Sequence, residues 1–132
     1  MEQVWDLIAD PNRFPEWGGA LEVTGVPTQI EKGSTFRQVS RGPLGIKATT
    51  TFEVEELDEA MREIRLRCQT SGFYSHWLLT DVRGETFADV EMGIEASSLS
   101  ERANSIAHTK GFLRRMANEG LDSIRRLLTR AS

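Results

Sequence analysis

The sequence predicts an α+β fold: a curved antiparallel sheet of about six strands wrapped around a long C-terminal helix, with two short helices ahead of the sheet. Three observations carry that expectation. The apolar period is helical up to Trp17, becomes two from Ala20 to Ala96, and returns to helical from about Asn104 to Arg130. The breaks between the strand-like runs are short, and short connections join antiparallel neighbours. Finally, 132 residues suit a single domain over 1–132, long enough to bury one core.

The elements follow in chain order. Val4, Leu7 and Ile8 stand at i, i+3 and i+4 and predict a first short helix ending at Asp10-Pro11, since the residue before proline avoids the α region. Pro11 opens a second short helix with Asp10 as its N-cap, and that helix ends near Gly18-Gly19. Six strands are then expected, at Leu21 to Thr28, Ser34 to Ser40, Ile46 to Glu56, Arg62 to Gln69, Phe73 to Asp81 and Thr86 to Ala96. In the last of them Thr86, Ala88, Val90, Met92 and Ile94 share one face while Asp89, Glu91 and Glu95 share the other, which makes one dry and one wet face. The closing helix carries a stripe of Ile106, Leu113, Met116, Ala117, Leu121, Ile124, Leu127 and Leu128, and its packing lies across the dry face.

Composition removes whole classes of function. A formal net charge of -4 argues against nucleic acid as a partner, because phosphate binding needs a basic surface. No apolar run approaches the ~20 residues of a membrane helix, and the N-terminus has neither the basic nor the apolar region of a secretory signal. A single cysteine, Cys68, makes no internal disulfide, and two histidines are too few for an all-His metal site. The expectation is a cytoplasmic domain with no metal and no cofactor.

The run Val4-Trp5-Asp6-Leu7-Ile8-Ala9-Asp10-Pro11-Asn12-Arg13-Phe14-Pro15-Glu16-Trp17 resembles the opening helices of the SRPBCC (START-like, helix-grip) superfamily, in its polyketide cyclase/dehydrase and lipid-transport-like branch. Gly33-Ser34-Thr35-Phe36 resembles a strand of that family, and His76-Trp77-Leu78-Leu79 with Gly84-Glu85-Thr86 resembles its last hairpin. The resemblance spans nearly the whole chain and departs from the family at one place. Members carry a β-strand before the first helix, paired with the last strand, and this chain starts inside that helix. Either the natural start lies upstream, or the protein works without the strand and pairs a second copy along the open Thr86 to Ala96 edge. The resemblance implies a cavity between sheet and terminal helix for an apolar small molecule such as a polyketide, lipid, sterol or quinone.

Strand parity names the residues that would face such a cavity. Ile46, Ala48, Thr50, Phe52 and Val54 share a face, as do Ile64, Leu66 and Cys68, and Phe73, Ser75, Trp77 and Leu79. The expected ligand contacts are Phe36 and Gln38 on the second strand, Thr50 and Phe52 on the third, and Leu66 and Cys68 on the fourth. Phe73, Ser75 and Trp77 follow on the fifth, Val90 and Met92 on the sixth, and Leu113, Met116 and Gly120 on the helix. Thr50, Ser75, Gln38 and Cys68 would orient polar atoms of the ligand. No charged side chain falls on the inward face between strand ends, and general acid–base chemistry wants a group that titrates near the working pH. Binding is therefore favoured over catalysis. The alternative is a polyketide cyclase/dehydrase-type enzyme promoting aldol closure or dehydration, with Tyr74, His76 or Ser75 moving protons. By parity Tyr74 and His76 point outward, and one β-bulge would reverse that locally. Other conspicuous residues have simpler readings. His108 is solvated, Cys68 is a buried small hydrophobe, and Trp5 and Trp17 anchor the short helices. Arg114, Arg115, Arg125 and Arg126 form a solvated face paired with Glu119 and Asp122. Gly111 and Gly120 each cost a helix about 1 kcal/mol relative to alanine, which points to close approach or to space beneath the helix.

Overall fold

Hydrophobic alternation sets the register of the six strands, and the order along the sheet is the order along the chain. In the computed structural model, which describes residues 1–18, 20–41, 45–95 and 110–131, every neighbouring pair is antiparallel. The elements are α1 (Glu2–Ile8), a 3₁₀ turn (Pro11–Arg13), α2 (Phe14–Trp17), β1 (Ala20–Thr24), β2 (Thr35–Arg41), β3 (Lys47–Asp58), β4 (Glu63–Cys68), β5 (Phe73–Val82), β6 (Glu85–Ile94) and α3 (Lys110–Ala131). Ala96, Ile106 and His108 lie outside the described residues.

Local chemistry explains the boundaries. The Asp10 side chain accepts from the Asn12 amide at 3.0 Å, so the expected N-cap is present, and Pro11 occupies the first helical position. β1 stops at Thr24 rather than Thr28, because Gly25 takes a positive φ of 73° and Pro27 lacks the N–H a ladder needs. The β5–β6 hairpin closes through Arg83 and Gly84, both at positive φ, between the paired Val82 and Glu85. That is the two-residue turn whose twist suits the strands it joins.

Two expectations on β3 are corrected. Ile46 is 65% exposed, and Ala48 is exposed as well. The first part of β3 pairs with β2 alone, since β4 joins the ladder only at Phe52 opposite Cys68. Ile46 lies just before β3 and Ala48 near its start, at the end of the strand that β4 does not reach. Further along, the register shifts between Val54 and Glu56, so Val54 and Leu57 both turn inward. That bulge is the local reversal that alternation alone leaves open.

The core lies between the concave face and the helices. Phe36, Phe52, Val54, Ile64, Leu66, Cys68, Phe73, Trp77 and Leu79 are buried from the sheet side. Trp5, Leu7, Ile8, Phe14, Leu113 and Ile124 close over them. Trp5 and Trp17 do anchor the short helices. Trp5 is buried with the Arg62 guanidinium above its ring, and Trp17 Nε1 donates to the Leu7 carbonyl at 2.9 Å.

The convex face is charged and laterally paired. Arg65 bridges Glu55 and Glu95 and stacks 4.2 Å over the Tyr74 ring, while Tyr74 donates to Glu91 at 2.6 Å. Gly93 stands directly opposite Tyr74, and a Cβ there would lie 2.7 Å from the ring. A methyl at that distance forces the ring to move. The overpacking cost of about 1–3 kcal/mol exceeds the 0.5–1 kcal/mol that alanine gains over glycine in a strand. Gly93→Ala is therefore expected to lower the urea midpoint, and Tyr74→Ala in the same chain to remove most of that loss. An undiminished loss in the double variant would contradict the contact.

The bond to Glu91, with partial burial, holds the Tyr74 phenol above its ordinary value. The neutral phenol is thus favoured by folding. Its contribution is complete below the unfolded value of about 10 and fades as pH rises through the higher folded value. The melting temperature is expected to fall on the alkaline side, and Tyr74→Phe to flatten that limb.

Candidate functional site

Six aromatic rings form an arc on the concave side. Trp77 meets Trp17 edge-on at 5.3 Å, Trp17 meets Phe14 at 5.6 Å, and Phe14 meets Phe36 at 5.9 Å. Phe36 stacks on Phe52 at 5.8 Å, and Phe52 meets Phe73 edge-on at 6.3 Å. The two ends of the arc, Trp77 and Phe73, lie on the same strand and face, two residues either side of Ser75. Edge-to-face contacts of this kind favour rings at 4.5–7 Å. Sequence patterning supplies the strand members, and the short helices bring in Phe14 and Trp17.

Inside the arc lies a partly open cavity of about 190 Å³. The sheet contributes Gln38, Phe52, Leu66, Phe73, Ser75, Trp77 and Met92, all expected from parity. Met116 and Gly120 of α3 also line it, as expected. Phe36, Thr50, Cys68, Val90 and Leu113 do not reach it. Phe36, Cys68 and Leu113 are buried in the surrounding core, and Thr50 and Val90 are half-buried. Alternation gives the side of a sheet a residue faces, not its distance from a particular void.

The wall also holds residues that the pattern does not single out. Ile8, Phe14, Trp17, Gly18 and Ala20 come from the first helices and the start of β1, and Glu119 and Ser123 from α3. Glu119 corrects an expectation. Arg125 pairs with Asp122 at 3.7 Å and Arg126 donates to Ser123, but among the described residues nothing pairs with Glu119. It borders the cavity as an exposed carboxylate. Gly120 has a similar tertiary reason. A Cβ there would sit 3.3 Å from Trp17 Cζ3, so the glycine admits the indole edge beneath the helix.

The polar groups on the wall are few. Gln38 Nε2 donates to Ser40 Oγ at 2.8 Å. Ser75 is buried, and among the described residues its hydroxyl has no partner. Tyr74 and His76 stand on the opposite face, occupied by Glu91 and by Glu63 at 3.3 Å respectively. Of the three candidate proton-moving residues, then, only Ser75 touches the cavity. Among the described residues no three His, Cys, Asp or Glu side chains gather as a metal ligand set, and no helix is long and apolar enough to cross a membrane.

A concave sheet gripping one long helix, with short helices closing one end, invites comparison with known proteins. The sequence model described as "Polyketide cyclase / dehydrase and lipid transport" matches residues 1–129. The chain belongs to this family. Solved structures agree on the fold. A Rhodobacter sphaeroides protein superposes with a TM-score of 0.67 at 20% identity, over 99% of this chain and 85% of its own. A Mycobacterium smegmatis protein gives 0.67 at 21%, over 98% and 84%, and one from Nitrosomonas europaea gives 0.68 at 13%, over 98% and 86%. No curated protein matches in sequence. The family's description joins cyclase/dehydrase chemistry with lipid transport, so membership establishes a helix-grip domain of the hydrophobic-ligand type, and the wall of the cavity must say the rest.

Proposed function

We propose that the chain binds a small apolar molecule, of polyketide, lipid, sterol or quinone-like character, in the cavity beneath α3. The arc of aromatic rings around that cavity carries the reading. Such a wall offers apolar area worth about 25 cal/mol per Å² buried, and few polar groups to restrict orientation. Native mass spectrometry of freshly purified protein, with the denatured sample as control, tests it. An added mass that vanishes on denaturation is expected. A clean apo mass, together with no uptake of apolar probes in titration, would sink the proposal.

A second reading is a cyclase/dehydrase-type enzyme. One observation favours it: the Glu119 carboxylate borders the cavity and has no partner among the described residues. Under that reading Glu119→Gln lowers turnover of a polyketone at least ten-fold while the substrate still binds. Dimerisation along Thr86–Ala96 is a further proposal, supported by β6 bonding only to β5 among the described residues. Light scattering at twice the chain mass is its expected result, and a strict monomer excludes it.

A further inference from the structure

The chemical class of the ligand can be narrowed, on the reading that the cavity binds one. Ser75 is 7% exposed, lines the cavity, and has no hydrogen-bond partner among the described residues. Buried hydroxyls in folded proteins are almost always satisfied, so an orphan aimed into a void marks where a partner belongs. Its neighbours on that face are Phe73 and Trp77, the two ends of the aromatic arc. The hydroxyl is thus the polar gap in an otherwise closed ring of π-systems.

Size and charge complete the selection. An apolar cavity of about 150 Å³ takes up benzene, so 190 Å³ suits one or two fused rings rather than an extended acyl chain. Among the described residues the wall's charge is one-sided: Glu119 is its one charged member, and no Lys, Arg or His lines the cavity. A buried carboxylate or phosphate would have no cation among the described residues to pair with and a carboxylate at the mouth to repel it.

We propose that the cavity selects an uncharged aromatic molecule of one or two rings whose hydroxyl meets Ser75 Oγ, and that it refuses the matching carboxylate. Naphthalene, naphthol and naphthoate share one ring system and separate the contributions. Titration calorimetry on the purified chain is expected to show naphthol binding about ten-fold tighter than naphthalene, and naphthoate weaker than both. Ser75→Ala brings naphthol down to the affinity of naphthalene. The same variant melts no lower than the parent, because the hydroxyl it loses has no bond to break. Glu119→Gln raises naphthoate affinity. Equal binding of naphthol and naphthoate, or a Ser75→Ala chain that keeps the naphthol preference, overturns the proposal while leaving the cavity a ligand site. Failure of all three probes to bind overturns the ligand-binding reading beneath it.

Discussion

Trp77→Ala is expected to cost about 3–5 kcal/mol, the range for truncating a large buried aromatic. Three features put it at the upper end. Trp77 is 2% exposed, it lies on β5 between Ile64 of β4 and Val90 of β6, and its ring is the edge-on partner of Trp17. Backbone pairing holds both neighbours in place, so the void cannot collapse and its full cost remains. A domain of this size has a total stability of about 5–15 kcal/mol, so a third or more of it depends on one side chain. Urea unfolding followed by far-UV circular dichroism measures the change, which appears as a lower midpoint with an unaltered slope. Trp17 reports independently. Losing its ring partner shifts its emission to the red, even though its bond to the Leu7 carbonyl survives. A loss below about 1.5 kcal/mol would mean that Trp17 swings into the space, and that the arc is softer than its geometry implies.

Gly120→Leu is the second large effect, and it separates ligand uptake from stability. A Cβ at this position would lie 3.3 Å from Trp17, and the glycine lines the cavity. Leucine must enter the cavity or displace the indole. Overpacking costs about 1–3 kcal/mol, and replacing glycine in a helix returns close to 1 kcal/mol, so the net loss stays below about 2 kcal/mol. Occupancy of a 190 Å³ space by a leucine leaves little room for anything else. Affinity for an apolar probe is expected to fall at least ten-fold in a chain that still unfolds cooperatively. Gly120→Ala lies between, since one methyl needs only a few tenths of an ångström from Trp17. If Gly120→Leu binds as the parent does, the ligand sits elsewhere.

Much of the architecture was legible from periodicity. The change from helical spacing to alternation and back locates the six described strands and the terminal helix, because a sheet with one dry face and a helix with one dry stripe each have a single way to bury them. Asp10-Pro11 reads correctly because capping depends on adjacent residues alone. The errors occur where local pattern meets an end or an irregularity. Ile46 lies just before β3 and Ala48 near its start, and both are exposed, at the end of the strand that β4 does not reach. Leu57 also packs inward, past the bulge between Val54 and Glu56 and beyond the Glu56 at which the expected strand ends.

The candidate site divides along the same line. Phe52, Leu66, Phe73, Ser75, Trp77 and Met92 follow from strand parity, which is a property of the backbone and needs no partner. Ile8, Phe14, Trp17 and Glu119 join them only because the short helices and α3 dock over the concave face. The sequence by itself determined the fold class, the dry face and an apolar, nearly uncharged interior. Only the tertiary structure decided which inward residues border a void, why Gly120 carries no side chain, and that Ser75 has no partner among the described residues inside a ring of aromatics. The reason is physical. Burial of a face is set by period along one chain, whereas the shape of a cavity is what remains between surfaces far apart in sequence, and packing at near-crystalline density leaves that remainder sensitive to every side chain around it.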